Sequence, residues 1–522
     1  MANINLFVLS NYALSRGFCL KSRTFKIYFQ CNRCFSQQVE HTSEAPRASR
    51  SNQVFQLSSD AQIDDTYFSH MKEGGSSIRY TDYPGSGLRK DVRPPKRLIQ
   101  SALTLSQRYS VNNVLVEAKK LQQYLWARQV PPESSTVQKR IREREHQLLY
   151  ARLQKTDDDM LTPEEFEKVQ QKAAQSTRKT TYHWRPLELD AYLSVVYMSS
   201  HLVSNYSVLY AILREIAETD PSFKPLSMLD FGSGLATSVW AVNELWDTVN
   251  EHYCWDKSPD VSTLARLLLQ DGKDYADMIY PGVYFRQRLE THHTHLSPGF
   301  DLVISSHSLF ELPNQRTRLE YIDKLWTQSN NYLVLAENGT VHGHRLIEEA
   351  RTHILKNYQS GEHKGHVAAP CPHELPCPLV NEWMRPCNFE VTHRLHPGHG
   401  QADFFEWRTS KPQTSKKKGI STRYCYVVLK KGEPLKEDRY PRLLSNPSMN
   451  GKKCVHCVMC LPDGKVRQVN VQSSVVPNRV FKVAKAGTWG TRLPLTSWEC
   501  LELPSKKDSS STATDSEVDL DT

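Results

Sequence analysis

The sequence predicts an α/β protein built on an open, mostly parallel sheet with helices on both faces. Two observations carry this prediction. Apolar bursts alternate with helical stretches between about 201 and 360, and a Gly-x-Gly turn lies between a strand and a helix. The chain has 522 residues, and single cores stop growing near ~250–300 residues. A second region is therefore expected beside the sheet.

The composition excludes several classes of protein. Apolar residues make up 39% of the chain and charged residues 24%, and no run of ~18 uncharged apolar residues occurs, so no membrane span is expected. The net charge is +9. Residues 1–35 contribute +5 and residues 508–522 contribute −5, so the chain between them also carries +9. That charge favours an anionic partner such as nucleic acid.

The N-terminal 35 residues have the composition of a mitochondrial transit peptide. They contain basic residues but no acid, and they lack the single apolar block of a secretory signal. Arg33-Cys34-Phe35-Ser36 also resembles a matrix-peptidase cleavage site. An ordinary disordered basic terminus is the alternative. We expect the mitochondrial matrix, where thiols remain mostly reduced and disulfides are not expected.

Composition and periodicity divide the chain into six segments. We expect a transit peptide at 1–35, a disordered lead-in at 36–90, a helical region at 91–200, a Rossmann-like domain at 201–360, a Cys-rich lobe with a β-rich C-terminal part at 361–505, and an acidic disordered tail at 506–522. In the helical region, Thr162-Pro163-Glu164-Glu165 predicts a helix start.

A strand at Ser227–Phe231 runs into Gly232-Ser233-Gly234, and a helix follows through Trp240. This turn lets the backbone approach a ligand at a helix N-terminus. Asp256 ends the next apolar burst, where a carboxylate can accept hydrogen bonds from a ribose diol.

These residues resemble the first motif of class I S-adenosylmethionine methyltransferases. The resemblance implies that the cofactor is bound by Asp230, Gly232, Ser233, Gly234 and Asp256. Ala236 departs from the pattern, because the third position of the usual loop is glycine. A sheet of the same type that binds another ligand, or none, is the alternative.

The catalytic half of a methyltransferase is not evident in the sequence. After the strand predicted at Phe300–Ser305 the chain reads Ser306-His307-Ser308-Leu309-Phe310-Glu311. This stretch contains neither an Asn/Asp-Pro-Pro-aromatic tetrapeptide nor a nucleophilic cysteine. His307 is either a general base or a loop histidine that caps the following helix. We therefore assign no catalytic residue.

Cysteines form the second strong signal, since seven of them lie between 371 and 460. Prolines flank Cys371 and Cys377, and proline fixes φ in a rigid loop that can wrap a metal. Thiolates suit zinc or an iron–sulfur cluster. The five-residue gap between Cys371 and Cys377 fits a zinc knuckle poorly. Buried structural thiols are the alternative, and His373 and His456 are alternate ligands.

The order of these features along residues 90–500 resembles the mitochondrial methyltransferase-like small-subunit assembly factors. The most specific piece is Ala369-Pro370-Cys371-Pro372-His373-Glu374. The resemblance implies a monomer on the maturing mitochondrial small ribosomal subunit that contacts its rRNA and proteins, supports mitochondrial translation and has lost methyl transfer. An active rRNA methyltransferase is the alternative.

The same resemblance implies a 4Fe–4S cluster, with zinc as the alternative. Its ligands would be Cys371, Cys377, Cys387 and one cysteine of the 454–460 group. We choose Cys460, which lies just before a Pro-Asp-Gly turn, and Cys457 is the rival.

Beyond the cysteines, the C-terminal part is predicted to be β-rich. Strands are expected at Tyr424–Leu429, Lys465–Val471 and Val480–Ala484. The Lys-rich stretch at 411–418 is either a clamp on rRNA phosphates or a solvent-exposed linker.

Overall fold

The computed structural model describes residues 53–64, 66, 80, 83, 85–86, 91–154, 162–287, 299–380, 385–394, 419–434 and 439–503. The expected transit peptide, the acidic tail and the Lys-rich stretch at 411–418 lie outside these residues. None of the helices in the described ranges combines the length and apolar character needed to cross a membrane.

The described ranges contain ten α-helices. In chain order they are α1 (Lys96–Ser106), α2 (Val111–Trp126), α3 (Ser134–Leu153), α4 (Pro163–Thr180), α5 (Ala191–Thr219), α6 (Thr237–Asn243), α7 (Pro259–Leu268), α8 (Gln315–Gln328), α9 (Val341–Asn357) and α10 (Asn478–Ala486). Thr162 and Glu165 form a capping box at α4, which confirms the predicted helix start.

The strands of the described ranges number sixteen. They are β1 (Val54–Leu57), β2 (Gln62–Ile63), β3 (Ser227–Phe231), β4 (Glu251–Trp255), β5 (Val283–Arg286), β6 (Phe300–Ser306), β7 (Ser329–Asn338), β8 (Gly365–Ala369), β9 (Phe389–His393), β10 (Ile420–Lys431), β11 (Arg442–Leu443), β12 (Ser448–Asn450), β13 (Cys454–Cys460), β14 (Val466–Gln472), β15 (Leu495–Ser497) and β16 (Cys500–Glu502).

The main sheet has the order β5-β4-β3-β6-β7-β10-β8, and β9 pairs with β10. Strands β3 to β7 are parallel to one another, whereas β10 is antiparallel to β7 and β8. The predicted Rossmann-like methyltransferase sheet is thereby confirmed. The strand order reverses between β3 and β6, so the ligand crevice of such a sheet lies beyond their carboxyl ends.

Two apolar clusters cover the faces of this sheet. Alternate residues of β3 enter opposite clusters, since Met228 packs with α5 to α7 and Leu229 packs with α8 and α9. The whole of α5 is one continuous helix of 29 residues begun by the Asp190 cap. The boundary expected at residue 200 is therefore wrong.

A second sheet, ordered β11-β13-β14-β1-β16 with β12 beside β13, has its own apolar cluster. Its strand β1 comes from the expected disordered lead-in, and it pairs in parallel with β14. The lead-in prediction is wrong for residues 54–57, because the buried side chain of Leu57 joins the C-terminal core. Sequence distance concealed this partner.

Two further expectations are corrected by the C-terminal half. The boundary at 360 is wrong, because β8, β9 and β10 complete the main sheet before the second sheet begins. The strand expected at Val480–Ala484 is helix α10. Its buried residues are Val480, Phe481, Val483 and Ala484, which is helical rather than alternating spacing.

Candidate functional site

The turn after β3 is fixed against the end of β4. The N–H groups of Gly232 and Ser233 donate to the carbonyl oxygen of Trp255 at 2.8 and 2.9 Å. Gly232 has a φ of +72°, and a Cβ there would lie 2.5 Å from Cβ of Ser308. Both the backbone conformation and the close approach of the loop after β6 therefore require glycine.

Ala236 departs from the usual glycine but keeps its conformation. It lies in the left-handed region with a φ of 52°, and it is the residue immediately before α6. A side chain in this region costs roughly 1–2 kcal/mol. The methyl group is fully buried in the core between the main sheet and α5, which offsets part of that strain.

Two carboxylates lie at the ends of β3 and β4. Asp256 accepts hydrogen bonds from the N–H groups of Gly234 and Ser258, both at 2.9 Å. Burial raises its pKa. Asp230 is almost fully buried and accepts a hydrogen bond from the Ser238 hydroxyl. Burial, reinforced by Asp256, raises the pKa of Asp230 to about 7.

Several buried polar atoms near this edge have no hydrogen-bond partner among the described residues. They lie at or just beyond the carboxyl ends of β3, β4, β6 and β7, and they are Ser233 Oγ, Trp255 Nε1, Ser306 Oγ, His307 Nε2 and Glu337 Oε2. Buried polar groups are normally satisfied, so a group of unmatched donors and acceptors needs an explanation. A polar ligand in the crevice supplies one, and the residues present fit adenosylmethionine.

His307 does not cap the helix that follows it, so that interpretation is wrong. Its backbone N–H donates to the carbonyl oxygen of Ala336 at 2.8 Å, and its side-chain Nε2 is one of the buried atoms without a hydrogen-bond partner among the described residues. Burial lowers the pKa of His307 to about 4, which makes it a weak general base at neutral pH. Glu337 accepts from the Leu309 N–H at 2.8 Å, and burial raises its pKa to about 8.

A segment at 182–190 without regular secondary structure, which we term the strap, runs between two loops at this edge. Its Trp184 indole donates to the carbonyl oxygen of Phe310 at 2.7 Å. The N–H of Leu187 donates to Glu311 at 2.5 Å, and the carbonyl of Leu189 accepts from Ser258 at 2.6 Å. The strap thus reaches from the loop after β6, where an acceptor-holding motif would stand, to the loop after β4.

Arg128, at the start of the loop after α2, holds the strap in place. Its guanidinium is 3% exposed and forms an ion pair with Glu311. The same group donates to the carbonyl oxygens of Arg185 and Phe310, both at 3.1 Å. Neither Arg128 nor the strap could be predicted from the sequence, because no local pattern distinguishes one arginine in a basic region.

The cysteines converge at the junction of the two sheets. Cys371 and Cys377 follow β8, Cys387 precedes β9, and Cys460 ends β13. Burial raises the pKa of Cys387 well above its ordinary value, and the thiols of Cys371, Cys377 and Cys460 raise it further. The same mutual effect, after burial, raises the pKa of Cys377 to about 11. Four sulfur atoms from two segments therefore share one buried neighbourhood.

Cys457 and Cys460 occupy opposite faces of β13. Burial alternates along the strand, and Cys457 points with Val455 and Met459 into the core of the second sheet. Cys460 lies on the other face, where its Sγ is 3.4 Å from Nε2 of His373. The structure brings Cys460, and not Cys457, to the other three cysteines.

Buried cationic and imidazole groups surround the four sulfur atoms. Arg351 on α9 donates to the carbonyl oxygens of His373 and Leu375 at 2.8 and 3.0 Å. Arg442 on β11 donates to the Pro370 carbonyl at 3.0 Å, and Cys377 Sγ lies 3.7 Å from His344 Nε2. Positive charge here favours thiolates, because it opposes the effect of burial on the thiol pKa.

Within the described ranges, no group of three or more His, Cys, Asp or Glu side chains is arranged to hold a metal ion. The donor set itself fits an iron–sulfur cluster, which is held by four thiolates. The two alternate ligands that the sequence predicts, His373 and His456, lie in different surroundings. His373 contacts Cys460, whereas His456 bonds Asn470 on β14.

A family model described as the mitochondrial small ribosomal subunit protein Rsm22 matches residues 191–494, more than half of the chain. The chain belongs to the Rsm22 family. The match begins with α5 and ends just before β15, so it includes the Gly232–Gly234 turn and all four converging cysteines.

The chain is also similar to individual proteins. The human protein named ribosome assembly protein METTL17, mitochondrial, is 32% identical over 422 residues, which cover 80% of this chain and 86% of the relative. The Rsm22-cox11 tandem protein 2 of Schizosaccharomyces pombe is 26% identical over 342 residues, 58% of this chain and 43% of the relative.

A solved magnesium protoporphyrin IX methyltransferase from Synechocystis PCC 6803, with bound SAM, aligns with 53% of this chain and all of its own. The sequence identity is 13% and the TM-score is 0.26. The fold assignment rests on the strand order described above and not on this alignment.

Proposed function

We propose that this protein is an assembly factor of the mitochondrial small ribosomal subunit that binds the subunit's rRNA in the matrix and supports mitochondrial translation. Membership in the Rsm22 family and the name of the human relative support this proposal. The charge of +9 on the chain between its two termini suits an RNA partner. A monomer on the ribosomal particle, in contact with subunit proteins, completes the proposal.

The convergence of four half-buried cysteines is the observation that carries the metal part of the proposal. Cys371, Cys377, Cys387 and Cys460 would hold a 4Fe–4S cluster. A bound cluster would join the two sheets by covalent ligation, since three ligands flank strands of the main sheet and the fourth ends β13. Arg351 and Arg442 would hold the backbone of the 370–375 loop and offset the negative charge of the thiolates.

Adenosylmethionine is proposed as a ligand of the crevice beyond β3 and β6. Asp256 would accept the ribose hydroxyls, because each carboxylate oxygen keeps a second lone pair. Gly232, Ser233 and Gly234 would present backbone to the ligand, and Asp230 would hold the turn through Ser238. When bound, this cofactor supplies an electrophilic methyl group to suitable acceptors.

We further propose that no methyl transfer occurs. The strap is bonded to Phe310 and Glu311 in the loop where an acceptor would be held. His307, with a pKa lowered to about 4, would be a weak general base at neutral pH. Arg128 and Trp184 would therefore exclude an RNA base from the methyl group.

The metal proposal is tested on anaerobically purified protein by its visible spectrum and by iron, sulfide and zinc content. We expect a broad band near ~400 nm and about four irons per chain. Cys460→Ser should lose the band, whereas the matched Cys454→Ser should retain it. Cys457→Ala should also retain it. Stoichiometric zinc without colour would contradict a cluster.

The cofactor and ribosome proposals need separate measurements. Titration calorimetry should detect adenosylmethionine binding that Asp256→Ala abolishes, and sedimentation of mitochondrial lysate should place the protein with the small subunit. Incubation with labelled adenosylmethionine and small-subunit rRNA should transfer no label. Transfer that depends on Asp256 would instead establish the alternative, an active rRNA methyltransferase.

A further inference from the structure

Helices α3 and α4 form an antiparallel hairpin. Arg152 near the end of α3 pairs with Glu165 at the start of α4, and Glu145 accepts a hydrogen bond from Gln170 at 3.2 Å. Within the described ranges the hairpin packs mainly on itself. The fully buried side chains of α4 are only Val169, Ala173 and Thr177. An arm with so small a core has a large surface left for another task.

Helical geometry divides this surface into two sides. Successive residues turn by ~100°, so positions three, four, seven and eleven apart share one side. On α4 these are Lys168, Lys172 and Lys179, all exposed. On α3 the corresponding exposed pair is Arg140 and Arg144.

The bond between Glu145 and Gln170 shows how the two helices are oriented. When each helix is viewed along its axis from its N-terminus, Glu145 and Gln170 lie on the same rotational side of the line that joins the two helix axes, so their hydrogen bond marks one side of the hairpin. In an antiparallel pair, residues on the other rotational side of each helix then share the opposite side of the hairpin. All five basic residues lie there, and we call this surface the basic face (Arg140, Arg144, Lys168, Lys172 and Lys179).

The basic face carries an excess of positive charge. The uncharged polar residues between its basic side chains include glutamines, and the Arg144 guanidinium donates a hydrogen bond to Gln147 at 3.0 Å. Two acids of the first turn of α4, Glu164 and Glu165, lie at one end of this face, four and three positions before Lys168. Glu165 is paired with Arg152, and Glu143 is 3.9 Å from Lys139 on the outer side. The rest of the basic face, around Lys172, Lys179, Arg140 and Arg144, is therefore positive.

We propose that the basic face docks on the backbone of a double-stranded RNA segment, an inference that rests on the proposed rRNA partner. Lys168 and Lys179 are eleven positions apart, or roughly 16 Å along the helix axis. The two helix axes are roughly 8–10 Å apart, so the basic side chains form two rows. Such rows suit phosphates on both sides of a groove.

The aromatic residues of the hairpin favour a duplex over a single strand. Tyr150 and Phe166 are 60% and 40% exposed, but by helical position both lie away from the basic face. Single-stranded sites use aromatic platforms for unstacked bases. A surface of basic side chains without an aromatic platform for nucleobases recognises duplex RNA by its backbone charge and shape.

Matched triple variants of the full-length protein test this proposal. The first, Lys168→Gln, Lys172→Gln and Lys179→Gln, removes three charges from the basic face. The control, Lys139→Gln, Arg142→Gln and Arg178→Gln, removes three charges from other exposed positions of the same hairpin. Circular dichroism should show equal helix content in both variants and the natural protein.

The probe is a 16-base-pair RNA duplex of arbitrary sequence, titrated between 50 and 200 mM salt. We expect the first variant to bind at least ~10-fold more weakly at low salt. Its slope of log affinity against log salt should decrease by about 3, since each phosphate contact contributes ~0.9. The affinity of the control variant should stay within about twofold of that of the natural protein, since the basic residues replaced in it make no phosphate contact.

Equal losses in the two variants, or no loss in either, would overturn the proposal. Unchanged duplex binding combined with loss of small-subunit co-sedimentation would also overturn it and would indicate an acidic protein partner. Failure of the natural protein to co-sediment with the small subunit would contradict the proposed function. That result is separate from the duplex titration, in which the difference between the two matched variants reports on the hairpin.

Discussion

Arg442 and Glu215 form a buried ion pair at 2.5 Å although they are 227 positions apart in the chain. Glu215 lies on α5 and Arg442 on β11, so the pair joins the methyltransferase-like sheet to the second sheet. Tyr426 of β10 donates to the other oxygen of Glu215 at 2.6 Å. Because Arg442 also holds the Pro370 carbonyl, this contact supports the loop that carries Cys371.

Removing the acid of this pair should destabilise the protein severely. Glu215→Ala would leave Arg442 buried without its counter-ion, which costs about 3–5 kcal/mol. Denaturant unfolding would measure the loss. The control is Glu320→Ala, whose exposed partner Arg316 is 2.9 Å away on the surface of α8; that change should cost less than about 1 kcal/mol. Similar losses from both variants would contradict the assigned role.

Asp230 predicts how stability varies with pH. Burial raises its pKa to about 7 from 3.8, so the folded state holds this proton more tightly than the unfolded state. Its contribution to stability therefore falls as pH rises through this range. Between pH 5 and pH 8 the loss should be about 2–3 kcal/mol.

The Asp230→Asn variant isolates this effect. Relative to the natural protein, the variant should gain unfolding free energy steadily as pH increases from 5 to 8. The exposed Asp247→Asn change is the control and should leave the pH dependence as it is. A constant difference between Asp230→Asn and the natural protein at every pH would show that Asp230 does not titrate in this range.

Gly232→Ala should disrupt the turn after β3. The new Cβ would lie 2.5 Å from Cβ of Ser308 at a φ of +72°, so both strain and overlap oppose it. We expect a loss of about 1–3 kcal/mol in stability and of adenosylmethionine binding by calorimetry. The control is Gly361→Ala, since Gly361 has a similarly positive φ but open space where the Cβ would lie. Comparison of the two variants therefore separates the cost of backbone strain from the cost of steric overlap.

Removal of the proposed cluster should loosen the junction of the two sheets. After anaerobic chelation we expect amide hydrogen exchange at residues 370–380 and 454–460 to accelerate by ~10-fold or more, because local openings are no longer held closed by ligation. Exchange in β3 and β4 should not change. Equal acceleration throughout the main sheet would indicate global unfolding instead.

Local chemistry determined much of this fold in advance. Alternating apolar bursts predicted the main sheet, and the turn of Gly232 and Gly234 placed its crevice, because these signals lie within a few residues of the feature they specify. Thr162 and Glu165 likewise marked a helix start. The strand predicted at Val480–Ala484 was wrong because a short apolar run fits either period.

Tertiary structure decided the features that depend on distant residues. The sequence left Cys457 and Cys460 as rivals, and the pairing of β13 placed one in the core and the other beside Cys371. Leu57 entered the C-terminal core from a region with the composition of a linker. The strap contacts Glu311 through backbone atoms, which leave no trace in side-chain pattern. Local sequence thus determined periodicity and turns, whereas strand pairing and burial, which arise from contacts across the chain, chose the partners.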